Sequence, residues 1–313
     1  MGEAVRYATE HVAPGQRLRY WNDLVDRIYD GTFVNAAGPD FRGEMWSWSV
    51  GELAMIRPMS GPSFVGRMPR ASSEERIILH LQCRGRTLHV QDGRECELQP
   101  GDFVLGSPHR RYDLDLQAHE LLVVEFPRAP LAERMPAIDE LLARRINGAS
   151  PGGRVFHDFL LSLWRQGDQS AADPEWEAGV SGVFYDLAAL ALRGAGRGAG
   201  REVPRSAESR FRERVLALVE TRLGDPALRT MTIAGELGTS VRTVQNLFAA
   251  MGTTPSAFIL ERRLRRAADR LIANPKASIT EVAFEYGFND SAYFARCFRQ
   301  HFGTAPRDWR GGR

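Results

Sequence analysis

The chain has 313 residues, of which 43% are apolar and 26% are charged. This length suits two domains, and the composition is typical of globular proteins. No apolar run is long enough to span a bilayer, and the N-terminus lacks a secretory signal pattern, so we expect a cytoplasmic protein without a membrane partner. The three cysteines are an odd number in a chain of this size, which argues against a disulfide framework.

The N-terminal part begins with a helix and continues as strands. Residues 16–30 place apolar side chains on one helical face. Between residues 41 and 126 the apolar period shortens toward two, which predicts short strands. Asp92-Gly93 is a two-residue hairpin signal, and residues 99–102 form a second turn. Many short strands with turns at this spacing indicate a small β-sandwich or barrel.

Helical periodicity returns after this region. It predicts three helices, over residues 130–146, 153–167 and 174–194. An apolar stripe on the third, at Val183, Leu187, Leu190 and Leu192, suits either the core or a dimer surface. Residues 194–206 are rich in Gly and Arg without an apolar period, and we interpret them as a flexible linker at a domain boundary.

The remaining residues are predicted to be all helical. A helix over about 209–223 precedes a short helix, Thr232–Leu237, for which Thr232 is the expected N-cap. Gly238 makes a turn, and Ser240 caps the next helix, Val241–Met251. A long helix of about 18 residues, roughly 27 Å, starts at Pro255. This length is close to the roughly 34 Å between successive major-groove faces on one side of B-DNA.

The residues after the long helix repeat the preceding pattern. Residues 279–310 predict a short helix, a turn at Gly287 and a second helix with a polar and cationic face. The repeated positions in the first unit are Ile233, Ala234, Gly238, Ser240, Leu247, Phe248, Gly252 and Pro255. Their counterparts in the second unit are Val282, Ala283, Gly287, Ser291, Phe298, Phe302, Gly303 and Pro306.

Charge is distributed unevenly along the chain. Residues 207–313 hold 17 Lys/Arg and 11 Asp/Glu, a net charge of +6, whereas residues 1–206 hold 24 and 28, a net charge of −4. The overall value of +2 therefore conceals a basic C-terminal third. Because the basic third coincides with the helix-turn-helix pattern, the sequence favours a polyanionic partner.

With these motifs, residues 207–313 resemble the DNA-binding region of the AraC/XylS family of bacterial transcription regulators. Two departures from its pattern, Ala305 and Trp309, fall at positions that do not face DNA in the family. The resemblance implies an all-α domain with two helix-turn-helix units joined by a long helix. The residues that carry it are the repeated positions above together with Ile279, Phe288, Tyr293, Phe294 and Arg296.

The same resemblance implies the DNA contacts. In the first recognition helix Arg242, Gln245 and Asn246 are expected to read bases, because Arg grips guanine and the two amides grip adenine. Ser240 and Ser291 are expected to cap helices, with phosphate contact as a further role. We interpret the four long-helix arginines, Arg262, Arg263, Arg265 and Arg266, as a solvated face with some phosphate contact. The remaining expected DNA-binding residues are Thr243, Ala292, Ala295, Arg296 and Arg299.

Residues 20–192 resemble, more weakly, the cupin-like domain that senses ligands and dimerises in part of this family. The fold expectation is thus α+β, with a cupin-like β-barrel or sandwich and flanking helices. No His-x-His pair is present, so we expect no metal or other cofactor. His80 and His89 are interpreted as ordinary strand residues, and His109 as either pocket-facing or structural. The candidate effector-binding residues are Trp46, Trp48, Phe103, His109 and Tyr112.

Cys83 and Cys96 are expected to be cross-strand neighbours in the hairpin, as buried thiols, with a redox switch as the alternative. The predicted domains are a sensing and dimerisation domain at 1–193, the linker at 194–206, and the DNA-binding domain at 207–313.

The predicted function is a nucleoid-associated regulator that binds double-stranded promoter DNA, responds to a small effector and forms a homodimer. Activation, with RNA polymerase as a partner, is expected from the resemblance alone. Two alternatives stay open at this point. One is a cupin-type metal enzyme with a DNA-binding appendage. The other is a ligand-independent regulator controlled by expression level or by a protein partner.

Overall fold

The computed structural model describes residues 4–36, 40–68, 75–166, 173–195, 207–274 and 276–309. The chain forms two compact units, Met1–Arg205 and Ser206–Arg313. Of the predicted linker at 194–206, only its first two residues are described, and they end a helix; residues 196–206 lie outside the described ranges. None of the described helices has the length and apolarity needed to cross a membrane.

The N-terminal unit is a β-sandwich with flanking helices, which confirms the predicted fold class. One sheet has seven strands in the order β1-β3-β4-β11-β6-β9-β12, and the other has five in the order β2-β5-β10-β7-β8. The strands are β1 (Val5–Ala8), β2 (Thr32–Asn35), β3 (Gly43–Val50), β4 (Leu53–Ser60), β5 (Ser63–Arg67), β6 (Arg76–Arg84), β7 (Thr87–Gln91), β8 (Arg94–Leu98), β9 (Phe103–Gly106), β10 (Tyr112–Leu116), β11 (His119–Pro127) and β12 (Arg145–Ile146). The helices are α1 (Arg17–Ile28), α2 (Ala129–Arg134), α3 (Ile138–Leu141), α4 (Pro151–Gln166) and α5 (Pro174–Ala195).

The seven-stranded sheet packs against an apolar core on each face. One strand contributes to both cores, because its successive side chains point to opposite sides. In β6, Leu79 and Leu81 belong to the core that also contains residues of α4 and α5. Ile78, which directly precedes Leu79 and so points to the opposite face, belongs to the core between the two sheets. The amphipathic helix α1 covers that second core with Trp21, Leu24 and Val25, which confirms the helix predicted over residues 16–30.

Both predicted turns are present. Strands β7 and β8 pair from Gln91 and Arg94 outward, so Asp92-Gly93 forms the two-residue hairpin loop. The turn over residues 99–102 closes with the Asp102 N–H donating to the Gln99 carbonyl at 2.9 Å, and β9 follows.

The prediction of a single helix over residues 130–146 is wrong. The segment forms the short helices α2 and α3, and its end pairs with β9 as the edge strand β12. Pro136 disfavours a helical conformation at Met135, the residue before it, so the helix ends there. The sequence pattern also missed β1 and β2, which pair with β3 and β5.

The prediction that Cys83 and Cys96 are cross-strand neighbours is also wrong. Cys83 lies in β6 of the seven-stranded sheet, whereas Cys96 lies opposite His89 in the five-stranded sheet. Both thiols are free. Burial raises the pKa of Cys83 to about 11 and that of Cys96 to about 12. The thiols are therefore protonated at neutral pH, as expected for structural rather than reactive cysteines.

The C-terminal unit is all helical. Its elements are α6 (Ala207–Thr221), α7 (Thr230–Glu236), α8 (Val241–Ala250), α9 (Pro255–Ala273), α10 (Ile279–Glu285), α11 (Ser291–Phe302) and α12 (Pro306–Trp309). The pairs α7/α8 and α10/α11 are the two helix-turn-helix units, and α9 connects them. One apolar face of α9, with Leu264, Ala267 and Leu271, joins a core with Phe294 and Phe298 of α11.

Candidate nucleic-acid interface

Both helix-turn-helix units close their turn in the same way. In the first, the Thr239 N–H donates to the carbonyl of the buried Ala234 at 2.9 Å; in the second, Phe288 donates to Ala283 at 3.0 Å. The glycine before each donor, Gly238 or Gly287, has a positive φ of 63° or 73°. Glycine adopts this left-handed backbone without the penalty that a Cβ would add. The repeated Ala and Gly positions of the sequence thus fix the angle between the paired helices.

The N-cap of the first recognition helix, α8, is the predicted serine. Ser240 accepts a hydrogen bond from the Thr243 N–H at 3.0 Å, and the two hydroxyl groups lie 2.8 Å apart. The cap of α7, in contrast, is not Thr232. Arg229 occupies the N-cap position, and the Thr232 hydroxyl instead donates to the Ala227 carbonyl at 2.8 Å.

The second recognition helix, α11, has a charged cap in place of the predicted Ser291. The Asp290 carboxylate accepts a hydrogen bond from the Ala292 N–H at 2.7 Å, and Ser291 is the first helical residue. A carboxylate at a helix N-terminus is stabilised by the helix dipole. It also places negative charge where a DNA phosphate would otherwise be attracted. The N-terminus of α8, capped by a neutral hydroxyl, carries no such charge.

Helix α8 exposes the predicted base-reading residues together. Arg242, Gln245 and Asn246 are exposed along with Thr243, whereas its opposite face is buried in the unit. Within the described ranges, no ion pair or side-chain hydrogen bond engages Arg242. The arrangement leaves one guanidinium and two carboxamide groups on one solvent-facing surface, which is the set that matches guanine and adenine edges in the major groove.

Helix α11 exposes a different chemistry. Ala292, Arg296 and Arg299 are exposed, and Ser291 and Ala295 are half-buried. The Arg296 guanidinium lies over the ring of the neighbouring Tyr293, 5.9 Å from its centroid, within the range of a cation–π contact. The exposed surface of α11 therefore offers cations and small apolar groups but no carboxamide at the predicted positions.

The prediction of a solvated arginine face on α9 is wrong. Arg262 and Arg265 are buried, with 4% and 5% of their surface exposed. The Arg262 Nε donates to Glu220 of α6 at 2.6 Å, and Arg266 donates to the other oxygen of that carboxylate at 3.2 Å. Burial alone would raise the pKa of Glu220, but its two arginine partners lower it below its ordinary value. These arginines hold helices together rather than face solvent.

The other two members of this set are also structural. Arg263 donates to the backbone carbonyls of Leu223 and Asp225 at 2.9 and 2.6 Å. Arg265 donates to Glu261, one turn earlier on α9, at 3.1 Å. Helix α9 contacts α8, α10, α11 and α12, and two of its four arginines, Arg262 and Arg265, are buried.

The candidate effector residues of the N-terminal unit do not form one cluster. Trp48 packs against Trp164 of α4 at 6.3 Å between ring centroids, and Phe103 packs against Phe156 of the same helix at 5.4 Å. Trp46 is half-buried, and its indole N–H donates to the Glu44 carboxylate at 3.1 Å.

The remaining two candidates lie elsewhere in this unit. His109 lies in the loop before β10, where its Nε2 accepts a hydrogen bond from the Arg76 N–H at 3.0 Å and so ties that loop to β6. Only Tyr112 lines the space between the two sheets, a cavity of about 70 Å³.

Sequence reasoning missed two buried histidines beside Tyr112. His80 lines the same cavity, and the ring centroids of His80, His89 and Tyr112 lie 5.3–5.8 Å apart. Burial lowers the pKa of His89 to about 4, and burial together with His89 and Arg67 lowers that of His80 well below its ordinary value. The available signal was the alternation of each histidine with apolar strand neighbours, which places both on an inner face. Across the described part of the chain, no three His, Cys, Asp or Glu side chains could together hold a metal ion.

Comparison with known proteins gives the family. Residues 21–193 match the AraC-binding-like domain and residues 233–312 match a helix-turn-helix domain. The chain is 28% identical over 316 residues to the transcriptional activator NphR of a Rhodococcus species, covering 96% of this chain and 91% of that protein. It is 27% identical over 236 residues to the HTH-type transcriptional activator RhaS of Shigella dysenteriae serotype 1 (strain Sd197), covering 73% of this chain and 83% of RhaS.

A solved structure supports the same fold. The crystal structure of the AraC-like transcriptional activator CuxR superposes with a TM-score of 0.53 at 18% identity, covering 85% of this chain and 95% of CuxR. The AraC-binding-like match spans more than half of the chain. The helix-turn-helix match, over residues 233–312, covers both of the helix-turn-helix units described above. The chain belongs to the AraC family of DNA-binding transcription regulators.

Proposed function

We propose that this regulator activates transcription by placing α8 and α11 in successive major-groove faces of promoter DNA. The observation that carries the proposal is the connection of two closed helix-turn-helix units by the 19-residue helix α9. At 1.5 Å per residue α9 is about 28 Å long, close to the roughly 34 Å repeat of the groove. The similarity to proteins named as activators supports activation, which would bring RNA polymerase in as a partner.

The two recognition helices contribute differently in this proposal. Arg242, Gln245 and Asn246 of α8 read bases, and Ser240 and Thr243 at its N-terminus bind a phosphate. In α11, Arg296 and Arg299 contact bases or phosphates. The small residues of α11 pack against the groove wall, where alanine methyl groups suit a thymine methyl. These residues are Ser291, Ala292 and Ala295.

The N-terminal unit, in this proposal, binds a small effector and forms a homodimer. The effector site is the cavity between the sheets, because it is enclosed by side chains of both sheets and of α1. The dimer surface lies on α5, whose Val183 and Leu190 are 46% and 48% exposed although Leu192 of the same predicted stripe is buried. Effector binding alters DNA affinity through residues 194–206, and the regulator acts in the cytoplasm at the nucleoid.

A selection of binding sites from genomic fragments tests the proposal. The folded full chain should enrich a subset of fragments and retain sequence preference at moderate salt, because base contacts persist when phosphate contacts are screened. Binding of all fragments with equal affinity would contradict it. No observation favours a cupin-type metal enzyme with a DNA-binding appendage, and stoichiometric iron or zinc in the purified protein would be evidence for one. A regulator without an effector would show no stabilisation by any small molecule.

A further inference from the structure

The cavity between the sheets has a wall without charge. None of the residues that line it is Asp, Glu, Lys or Arg, and most are aliphatic or aromatic. The buried Arg67 adjoins the wall, since its guanidinium lies 5.6 Å from the centroid of the lining residue Tyr29, but it is paired with Glu125 at 2.8 Å. A charged molecule would lose its hydration here without gaining a counter-ion. The cavity therefore suits an uncharged ligand.

The wall nevertheless carries unsatisfied polar atoms at His80 and at the Thr32 hydroxyl, and His89, which does not line the cavity, packs against His80. His80 is 3% exposed and His89 is 0% exposed. The Nδ1 of His80 and both ring nitrogens of His89 have no hydrogen-bond partner among the described residues. Native proteins pair roughly 90% or more of their buried polar groups. Because burial lowers the pKa of both rings, each is a neutral imidazole with one donor and one acceptor nitrogen.

The orientation of the His80 ring is fixed by its neighbours. Tyr112 meets His80 edge to face, at 5.3 Å between ring centroids and 70° between planes, and stacks on His89 at 5.8 Å and 19°. Tyr112 is itself buried, with 3% of its surface exposed. A polar group whose position is set by packing before the ligand arrives discriminates between ligands better than a mobile one.

The size of the cavity and its surroundings limit what enters it. At about 70 Å³ it is roughly half the volume of an engineered cavity of ~150 Å³ that binds benzene. A single ring therefore enters only if the wall adapts, and Met45, whose unbranched side chain fills irregular gaps, is the wall residue best suited to do so. Ser60 and His119 line both this cavity and an outer groove of about 710 Å³, so the cavity adjoins the solvent-facing groove at these two residues.

Building on the effector role proposed above, we propose that this cavity binds a small, uncharged and largely hydrocarbon molecule whose single hydroxyl group hydrogen-bonds to His80. A hydroxyl both donates and accepts, so it satisfies an imidazole nitrogen of either kind. The hydrocarbon remainder contacts the apolar wall contributed by both sheets and by α1. His89 completes the polar end of the site behind His80.

Three probes of similar size test the proposal on the full chain: phenol, fluorobenzene without the hydroxyl, and charged benzoate. Each is titrated while the melting temperature is followed, and imidazole ¹H–¹⁵N spectra report directly on the histidines. We expect phenol to raise the melting temperature and to shift the His80 resonances. Fluorobenzene should bind about tenfold more weakly, because it leaves the imidazole nitrogen without a partner. Benzoate should not bind.

A matched pair of variants locates the effect. His80→Phe should bind phenol and fluorobenzene equally, whereas His157→Phe, the same substitution on α4, should keep the preference for phenol. Equal binding of phenol and fluorobenzene by the wild-type chain would overturn the proposal, and so would benzoate binding as tightly as phenol. The absence of any change with all three probes would overturn it too. These measurements on the wild-type chain test the proposal even if His80→Phe does not fold.

Failure of this proposal and failure of the proposed function are distinguishable. The same preparation is tested for sequence-selective DNA binding. If selected DNA binds and none of the probes does, the hydroxyl-ligand proposal alone is wrong. If the folded chain shows no sequence preference, the proposed function is wrong whatever the probes do.

Discussion

The two helix-turn-helix units share one backbone plan but differ in how they are attached to α9. The second unit joins α9 through an apolar core, with Phe294 and Phe298 packed against Leu264 and Leu271. The first unit contacts α9 through Phe248 and Phe258, and helix α6, which precedes that unit, is tied to α9 by ion pairs between Glu220 and two arginines. The contacts of α9 on the N-terminal side are therefore partly electrostatic, and those with the second unit are mainly apolar.

The exposed surfaces of the two recognition helices, α8 and α11, also differ. The N-terminus of α8 has a neutral cap and a base-reading set of Arg242, Gln245 and Asn246. Helix α11 has the charged cap Asp290 and small residues beside its arginines. The comparison indicates that one backbone motif can serve two purposes. We infer that the first unit supplies more of the sequence specificity and that the second positions the domain on DNA.

The largest effect should come from the apolar core of the second unit. Phe298→Ala removes a fully buried ring and should lower the free energy of unfolding by about 3–5 kcal/mol, measured by denaturant titration. Phe284→Ala on α10 is the control, because that ring is 53% exposed and its loss should cost less than about 1 kcal/mol. Equal effects of the two substitutions would show that the second unit does not depend on this core.

The ion pairs at the first unit should give the next largest effect. Glu220→Gln keeps the shape of the side chain but leaves Arg262 buried without its carboxylate, so stability should fall by about 2–3 kcal/mol. Arg270→Gln is the control, since its pair with Glu285 is exposed and should contribute less than about 1 kcal/mol. No loss from Glu220→Gln would mean that the α6–α9 contact is held by apolar packing alone.

The same carboxylate predicts a pH dependence. The folded-state pKa of Glu220 is lowered relative to the unfolded value. Its contribution is therefore fully present above the unfolded pKa of about 4.3 and is lost as the pH falls from there through the folded value. Stability measured between neutral pH and acid should decline less steeply in Glu220→Gln than in the wild type. Identical pH profiles would contradict a stabilising role of the charged form.

Local features of these units could be predicted from the sequence. The turns depend on Ala and Gly within five residues of each other, and the Ser240 cap depends on Thr243, three residues away. Such contacts are readable because the partners are neighbours in the chain. Where two adjacent residues could both cap a helix, the choice of Ser291 was wrong, and Asp290 is the cap.

Long-range contacts could not be predicted. Arg262 looks like a surface cation on a helix, and its partner Glu220 is 42 residues away. Its burial depends on how α6 packs against α9, and the spacing of apolar residues within one helix does not predict that packing. His80 and His89 look like isolated strand residues, because only the facing of two sheets brings their rings within 5.5 Å. Four of the five candidate effector residues are Trp, Phe or Tyr, and such a ring alone does not indicate which face of a sheet it occupies.

Substitutions in the two recognition helices should have an intermediate effect, on DNA affinity. Arg242→Ala should weaken binding to the selected DNA by about 1–3 kcal/mol and relax the preference at one base position, because a guanidinium bound to guanine is lost. Ser291→Ala at the start of α11 should change affinity by less than about 0.5 kcal/mol, since Ser291 is not the cap. Binding-site selection with both variants measures this ranking, and the reverse order would assign specificity to the second unit.

The charge of the α11 cap should give the smallest effect. Asp290→Asn retains a good N-cap residue but removes the negative charge, so stability should change little while DNA affinity rises by about 0.3–1 kcal/mol at low salt. Ser240→Asp makes the opposite change at α8 and should weaken DNA binding by a similar amount. Both effects should shrink as salt is added, because screening reduces interactions between exposed charges. If Asp290→Asn leaves DNA affinity unchanged at low salt, the α11 N-terminus does not approach a phosphate, and the second unit contacts DNA only through the exposed arginines further along α11.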